Sequence, residues 1–249
     1  MNGQQKGGFV IYLFSDFSLN GPYVGQLKSV LYEQATNANV IDLMHDAPAF
    51  NSKASAHLLA ASMLSVSRDS IVLAVVDPGV GSERKGVAVR VDSRWYVGPD
   101  NGLLDVVAAR AHSAKWYEIT YHNPDASSSF HGRDIFAPVA AMLSNEVDLA
   151  QYLRPITKIY SDKDNDLSEI IYIDRFGNLM SGVRASSFKS TEKIWFRDVE
   201  IPRANTFSDV PEGSAFFYEN SQGLFEIAIN SGNAKDYFDA AIGESIGVR

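Results

Sequence analysis

IVLAVV, at residues 71–76, is the run that decides the fold, and Asp77-Pro78-Gly79 follows it without a break. All six residues of the run are apolar and four are β-branched, which is typical of a strand buried on both faces of a sheet. Such a strand needs helices above and below its sheet. The sequence on either side should therefore alternate between strands and helices.

Segments of both kinds flank this run. Further apolar runs predict strands at residues 9–14, 39–44, 87–91 and 95–98, the last two separated by a three-residue turn. Apolar residues at helical spacing predict helices that begin at Pro22, about Ser52, Asn101 and Asp134. The alternation predicts an α/β fold, with a parallel sheet covered by helices, for an N-terminal domain of residues 1–158.

The composition changes after Arg154. A polar stretch follows, and residues 159–167 are predicted to be a linker. Beyond it, short apolar segments punctuated by Gly, Pro, Asn and Ser predict strands at 169–173, 179–183, 193–196, 215–218 and 224–229. Residues 168–249 should therefore form a smaller C-terminal domain that is β-rich and barrel-like.

The overall composition excludes several classes of function. The 249 residues include 22 Lys and Arg against 30 Asp and Glu, a net charge of −8, so no basic excess exists to bind nucleic acid or an anionic membrane. Cysteine is absent, which excludes disulfides, thiolate metal sites and cysteine nucleophiles. No targeting segment or membrane-length apolar run is visible, and we expect a cytoplasmic protein.

Polar residues follow the predicted parallel strands at Ser15-Asp16, at His45-Asp46 and at Asp77. Ligands of open parallel sheets bind beyond the carboxyl ends of the strands, so these positions are candidates for a site. A second cluster, residues 130–138, places His131 at the start of a helix. Taken alone, each feature is better explained by a turn or a helix cap. The histidine spacing does not indicate a metal, and none is expected.

The motifs taken together are more specific than any one of them. They are Ser15-Asp16-Phe17, Pro22-Tyr23-Val24-Gly25, Val76-Asp77-Pro78-Gly79-Val80-Gly81 with Arg84, Pro99-Asp100-Asn101-Gly102-Leu103, Phe130-His131-Gly132-Arg133-Asp134-Ile135-Phe136-Ala137-Pro138, Asp174 with Phe176-Gly177-Asn178, and Asn220-Ser221 with Gly223. In this order they resemble the S-adenosylmethionine (SAM) hydroxide adenosyltransferases. That family is the hydrolase branch of the superfamily that includes the fluorinase and the chlorinase.

The resemblance implies an enzyme that splits SAM with water into adenosine and L-methionine. It implies no cofactor, and a homotrimer in which each site lies between the N-terminal domain of one subunit and the C-terminal domain of the next. The family's catalytic triad corresponds to Asp77, Arg84 and His131, and its ribose-binding carboxylate corresponds to Asp16. Contacts to adenine and to the methionine part would come from Asp174, Asn178 and Ser221, with Glu226 as a further candidate.

The chain also departs from the family pattern. Ser18 stands where a glycine is usual, Gly21 where an aspartate is usual, and residues 181–183 replace the usual Thr-Asn-Ile. A non-catalytic protein that binds adenosine or SAM, and a trimeric interaction protein with an idle site, are therefore alternatives to the hydrolase.

The triad and its surroundings favour water over a halide. The halogenases carry tyrosine where Asp77 stands, and the fluorinase has a long loop for which the segment between Arg84 and the strand at 87–91 leaves no room. A carboxylate beside the nucleophile would repel an anion. Asp77 or His131 could accept the proton from water, and the sequence does not decide between them.

Overall fold

The computed structural model describes residues 9–158, 166–189 and 193–249 of the chain. Their backbone contacts form two compact units. The first contains the described residues of Met1–Ser52 and Ser65–Lys163, and the second contains those of Lys53–Leu64 and Asp164–Arg249. Across these described ranges, no helix is both long enough and apolar enough to cross a membrane.

The helices and strands up to residue 158 alternate as the sequence predicts. They are β1 (Val10–Ser15), α1 (Tyr23–Gln34), β2 (Asn39–Met44), α2 (Ser52–Ser62), β3 (Ile71–Val75), β4 (Gly86–Val91), β5 (Arg94–Pro99), α3 (Asp105–Ala109), β6 (Ala114–Ile119), α4 (Ala137–Ser144) and β7 (Leu153–Ile156). The strands form one sheet in the order β2-β1-β3-β5-β4-β6-β7. β2, β1, β3 and β5 are parallel, whereas β4 and β7 run antiparallel to their neighbours.

The run that was expected to decide the fold forms an interior strand of the sheet. All five residues of β3 are buried, and β3 lies between β1 and β5. Leu27 and Leu31 of α1 and Val139 of α4 belong to the same apolar core as Leu73 of β3. The predicted α/β class is therefore confirmed, and the carboxyl ends of β1, β2 and β3 lie side by side.

Two local predictions in this unit are wrong. The turn between β4 and β5 has two residues, Asp92 and Ser93, instead of three. The helix predicted from Asn101 is only the five-residue α3, because the Asn101 side chain makes other hydrogen bonds. Its Nδ2 donates to the Val76 carbonyl (2.8 Å) and its Oδ1 accepts from the Leu103 amide (3.2 Å), which holds this segment as a loop.

The helix predicted from Asp134 begins instead with a π-helical turn, Gly132–Phe136, and continues as α4. π-helical turns are frequent at functional sites. β6 and β7 were not predicted. Their sequences lack a strong apolar run, and they join the sheet because β6 extends the antiparallel edge formed by β4.

The second unit contains most of α2 and is otherwise rich in strands. Its elements are β8 (Leu167–Ile173), β9 (Leu179–Arg184), β10 (Ile194–Phe196), β11 (Val199–Ile201), β12 (Ala215–Glu219), β13 (Leu224–Ile229), α5 (Ala234–Phe238) and β14 (Gly247–Val248). One sheet has the order β12-β13-β9-β8 and the other β11-β10-β14. Both sheets contribute to one apolar core, which includes Ile170, Phe196 and Phe225.

The strand-rich character of this unit is confirmed, and all five predicted strands are present. β11, β14 and α5 were not predicted. Asn233 caps α5 by accepting a hydrogen bond from the Asp236 amide (2.9 Å). The linker predicted at 159–167 lies almost wholly outside the described residues, and its last residue, Leu167, begins β8.

Candidate active site

Asp77 follows β3 and is held in place by the loop that comes next. The Val76 carbonyl accepts the hydrogen bond from Asn101 described above, and the Val80 amide donates to the Asp77 carbonyl (3.3 Å). The chain therefore turns sharply at the carboxyl end of β3. This turn directs the Asp77 carboxylate toward Arg84.

The turn requires glycine at residue 81. Gly81 has φ +79°, in the left-handed region that other residues rarely adopt. A Cβ atom built there would lie 2.6 Å from the Ser128 carbonyl oxygen, which is a severe overlap. Gly81 thus allows the loop that carries Asp77 and Arg84 to approach the loop that precedes His131.

Arg84 joins the other two triad residues. Its Nη2 donates to Asp77 Oδ2 (2.6 Å) and lies 3.2 Å from His131 Nδ1. Nη1 donates to the Lys85 carbonyl (2.6 Å), and the guanidinium lies over the Phe136 ring. The side chains of Arg84 and Asp77 are only 8% and 5% exposed, so the ion pair is shielded from solvent.

This contact also fixes the tautomer of His131. A guanidinium has only donors, so the His131 Nδ1 atom that faces it must be the acceptor. With Nδ1 as the acceptor, the ring proton lies on Nε2. His131 therefore offers an N–H donor on its other side.

Burial makes Asp77 a stronger base than an ordinary aspartate. Removal from solvent raises the pKa of the Asp77 carboxyl, and the positive charge of Arg84 only partly opposes this effect. Burial likewise lowers the pKa of Arg84, with Asp77 opposing it. The Oδ1 atom of Asp77 is buried and has no partner of normal hydrogen-bond geometry in the described part of the chain.

Asp16 lies in the same pocket as Asp77 and His131. The pocket has a volume of about 340 Å³, and aromatic side chains from Phe17, Tyr23, Phe50 and Phe130 form much of its wall. Burial raises the pKa of Asp16, and the Phe50 amide donates a long hydrogen bond of 3.4 Å to its Oδ2. The carboxylate is therefore free to accept hydrogen bonds from a ligand beside the triad.

The departure at residue 18 has a structural explanation. Ser18 adopts φ +59°, a conformation for which glycine is better suited. The strain for a non-glycine residue is about 1–2 kcal/mol. Two hydrogen bonds retain the conformation, because the Ser18 amide donates to the His45 carbonyl (2.6 Å) and Ser18 Oγ accepts from the Asn20 amide (3.2 Å).

The remaining predicted residues lie in the second unit, around a cavity of about 800 Å³. Asp174 closes a turn, since its carboxylate accepts from the amides of Phe176 (2.9 Å) and Asn178 (2.8 Å) and from the Asn178 side chain (3.0 Å). Gly177 in this turn has φ +83°. The turn presents the exposed Phe176 ring and the buried Asn178 amide to the same cavity.

Glu226 is the most buried acid of this cavity, with 4% of its surface exposed. Its carboxylate accepts hydrogen bonds from the Tyr218 hydroxyl and from Asn220 Nδ2 (2.9 Å). Burial raises the pKa of Glu226 more than these two donors lower it. Ser221 lies at the exposed edge of the same cavity.

The predicted residues thus form two groups, each within one unit. Asp16, Asp77, Arg84 and His131 lie in the first unit, and Asp174, Asn178, Ser221 and Glu226 lie in the second. Sequence reasoning missed Phe50, Tyr218 and the structural role of Asn101. The features that mark Phe50 as unusual are visible only in the structure, since the residue has φ +59° and is 81% exposed. Among the described residues, no cluster of His, Asp and Glu is arranged to hold a metal ion.

Comparison with known proteins gives a consistent result. Residues 11–152 match the family model described as the SAM hydroxide adenosyltransferase N-terminal domain, and residues 168–247 match its C-terminal domain. An (R)-S-adenosyl-L-methionine hydrolase of Thermus thermophilus is 35% identical over 246 residues, covering 91% of this chain and 94% of that protein. A fluorinase of Actinopolyspora mzabensis is 21% identical, covering 96% of each chain.

A solved structure from Thermotoga maritima, described as an uncharacterized conserved protein, has a TM-score of 0.84 and 29% identity to this chain. The match covers 96% of this chain and 99% of that one. The similarity therefore extends over both units and includes the fold as well as the sequence.

Proposed function

Because the chain belongs to the SAM hydroxide adenosyltransferase family, as its motifs predicted, we propose that it hydrolyses (R)-S-adenosyl-L-methionine to adenosine and L-methionine. The observation that carries the proposal is the buried contact of Arg84 with both Asp77 and His131. This cluster borders a pocket that also contains a second carboxylate, Asp16.

The proposed reaction is a single displacement at C5′. A water oxygen forms a bond to C5′ while the bond from C5′ to sulfur breaks, and its electron pair returns to the sulfur of methionine. The sulfonium is already a good leaving group, so the step needs no acid. One proton leaves the water, and positioning plus exclusion of solvent lower the barrier for this weak nucleophile.

Asp77 is the proposed acceptor of that proton. Burial shifts the pKa of Asp77 upward, toward neutral pH, which makes the carboxylate a better base. Its Oδ1 atom has no competing hydrogen bond of normal geometry in the part of the chain described. Arg84 keeps Asp77 ionised and oriented. His131, as the Nε2–H tautomer, is a hydrogen-bond donor to the water or to the substrate.

The negative charge of Asp77 disfavours a halide nucleophile. Two unit charges about 4 Å apart interact by about 4 kcal/mol at an effective dielectric constant of about 20. Arg84 reduces the repulsion that Asp77 exerts on an anion but is itself paired with that carboxylate. A neutral water molecule meets no such penalty, so hydrolysis is favoured over halogenation.

The remaining substrate contacts are assigned to both units. We propose that Asp16 accepts hydrogen bonds from the ribose hydroxyls, and that Asp174, Asn178, Ser221 and Glu226 contribute to binding adenine and the methionine part. We further propose a homotrimer in which the first unit of one subunit and the second unit of its neighbour complete each site. A cyclic assembly closes such head-to-tail contacts without free ends.

Incubation of the purified protein with SAM, followed by chromatography, tests the proposal. We expect adenosine and methionine in equal amounts, and loss of both in Asp77→Ala. Binding of adenosine without turnover would instead support the non-catalytic binding protein. Neither binding nor turnover would leave only the interaction protein with an idle site.

A further inference from the structure

A chain of hydrogen bonds runs behind the Asp16 pocket and is not used by the proposed reaction. Ser15, the last residue of β1, and His45, directly after β2, lie side by side because the two strands are parallel and shift register after Leu13. Ser15 Oγ is 2.7 Å from His45 Nδ1. His45 Nε2 is 3.1 Å from Asp42 Oδ1, and Asp42 Oδ2 accepts from Lys28 Nζ (3.0 Å).

The direction of each hydrogen bond follows from Asp42. Burial alone would raise the pKa of this carboxyl, but hydrogen bonds from His45 and Lys28 outweigh it and lower the pKa. Asp42 is therefore an ionised acceptor, and His45 Nε2 must donate to it. In the neutral imidazole this leaves His45 Nδ1 to accept from the Ser15 hydroxyl, whose oxygen in turn accepts a long hydrogen bond from the Phe17 amide (3.4 Å).

This chain of hydrogen bonds holds the backbone on both sides of Asp16. The Phe17 amide is linked to His45 through Ser15, and the Ser18 amide donates directly to the His45 carbonyl (2.6 Å). The strained, left-handed Ser18 is thus retained by the backbone carbonyl of residue 45, next to the imidazole that holds Ser15. His45 itself is buried, with a side chain only 4% exposed.

The residue types are those of a hydrolytic Ser-His-Asp triad, but the geometry does not fit that role. Ser15 is 3% exposed, and the wall of the pocket is formed by Asp16 and Phe17 instead. A nucleophile must reach its substrate. The network therefore acts on the loop that carries Asp16 and not on a substrate.

We propose that His45 is a positioning residue, which together with Ser15 and Asp42 fixes the Asp16 carboxylate in the orientation that recognises a vicinal diol. The inference rests on the proposed function, since it assigns the ribose as the group bound by Asp16. Hydrogen bonds of successive donors reinforce one another in a buried setting, so loss of one link should loosen the whole segment.

Calorimetric titration of the full-length protein with adenosine and with 2′,3′-dideoxyadenosine, which lacks the diol, provides the test. In His45→Ala we expect adenosine to bind about tenfold more weakly, which corresponds to the loss of roughly one hydrogen bond to the diol. The dideoxy compound should bind to this variant as it does to the unmodified protein. His45→Asn keeps an acceptor for Ser15 and should recover part of the affinity. The exposed His112→Ala is the matched control and should change neither value.

The outcomes separate the two levels of the proposal. Equal adenosine affinity in His45→Ala and the unmodified protein, or equal losses for both nucleosides, would overturn the positioning role while leaving SAM hydrolysis intact. Absence of adenosine binding and of SAM turnover in the unmodified protein would overturn the proposed function together with this inference. If His45→Ala does not fold, Ser15→Ala removes the same link with a smaller change in volume and is held to the same outcomes.

Discussion

Replacement of Asp77 by asparagine should separate the catalytic and structural roles of the triad. The change keeps the shape of the side chain and an oxygen that can accept from Arg84, but it removes the negative charge. Arg84 Nη2, now 2.6 Å from Asp77 Oδ2, would then be a buried cation that has lost its paired carboxylate. Two measurable quantities should respond, namely the free energy of unfolding and kcat.

The cost in stability follows from burial. The two side chains are 5% and 8% exposed, so solvent screens their interaction only weakly. Removing one member of a buried pair costs about 3–5 kcal/mol, because the other charge is left uncompensated. For a chain of this size each kcal/mol corresponds to about 2–4 °C, so we expect Asp77→Asn to lower Tm by roughly 6 °C or more. Asp77→Asn with Arg84→Gln removes both charges and should recover much of that loss.

The cost in rate follows from the proposed proton transfer. A positioned general base contributes about 100-fold to 10,000-fold, so kcat should fall at least about 100-fold in Asp77→Asn. Asp77 must be ionised to act as a base, so the activity of the unmodified protein should fall as the pH decreases through the pKa of Asp77. Because burial raises this pKa, the fall should occur above the ordinary aspartate pKa of about 3.9. That acid limb should be absent in Asp77→Asn, and the double variant should regain stability without regaining rate.

Adenosine release at saturating SAM measures kcat, and thermal unfolding measures stability. Glu118→Gln provides the control, because Glu118 pairs with Arg154 and Lys85, whose side chains are 62% and 58% exposed, and such exposed pairs contribute only about 0–1 kcal/mol each. An Asp77→Asn variant that retains kcat within about threefold and keeps the acid limb would refute the role of Asp77 as the base. Such a result would show that Asp77 only stabilises the turn after β3.

Three further outcomes follow from the same structure. Turnover of SAM in excess chloride or fluoride should still give adenosine, because of the negative charge of Asp77, and a 5′-halogenated nucleoside as the main product would contradict this. Gly81→Ala should lower Tm, since Gly81 has φ +79° and a Cβ atom there would lie 2.6 Å from the Ser128 carbonyl oxygen. Gly102→Ala is the control and should lower Tm less, because Gly102 also has a positive φ of +92° but its Cβ would have no atom within 4 Å. Equal losses of Tm in the two variants would argue against the overlap at Gly81. After subunit exchange, a mixture of inactive Asp77→Ala and inactive Asn178→Ala should regain activity if sites are shared between subunits, and no recovery despite demonstrated exchange would speak against the proposed trimer.

The sequence by itself determined the fold class and the family. Apolar runs such as 71–76 and the helical spacing after Pro22 are local patterns, and the strands and helices they predicted have nearly the same bounds in the structure. The motifs around Asp77 and His131 are also local, since a turn after a strand needs its glycines and polar residues at fixed offsets. Such features depend on neighbours in the chain, which a single sequence contains in full.

Local patterns gave wrong or incomplete results where distant residues decide the structure. The helix predicted at Asn101 is interrupted because its side chain bonds to Val76, 25 residues away. β6 and β7 become strands because a neighbouring edge offers unpaired backbone groups. In each case a tertiary hydrogen bond outweighs an intrinsic preference of a few tenths of a kcal/mol per residue.

The chemistry of the site likewise depends on tertiary contacts. The sequence left open whether Asp77 or His131 accepts the proton. Contact of the Arg84 guanidinium with His131 Nδ1, across 47 residues of chain, places a donor against that nitrogen and supports the proposal that Asp77 is the acceptor. The link from Ser15 to His45 depends in the same way on the register of β1 against β2. Only the folded chain brings these donors and acceptors within hydrogen-bond distance, because sheet register and side-chain burial are properties of the whole unit.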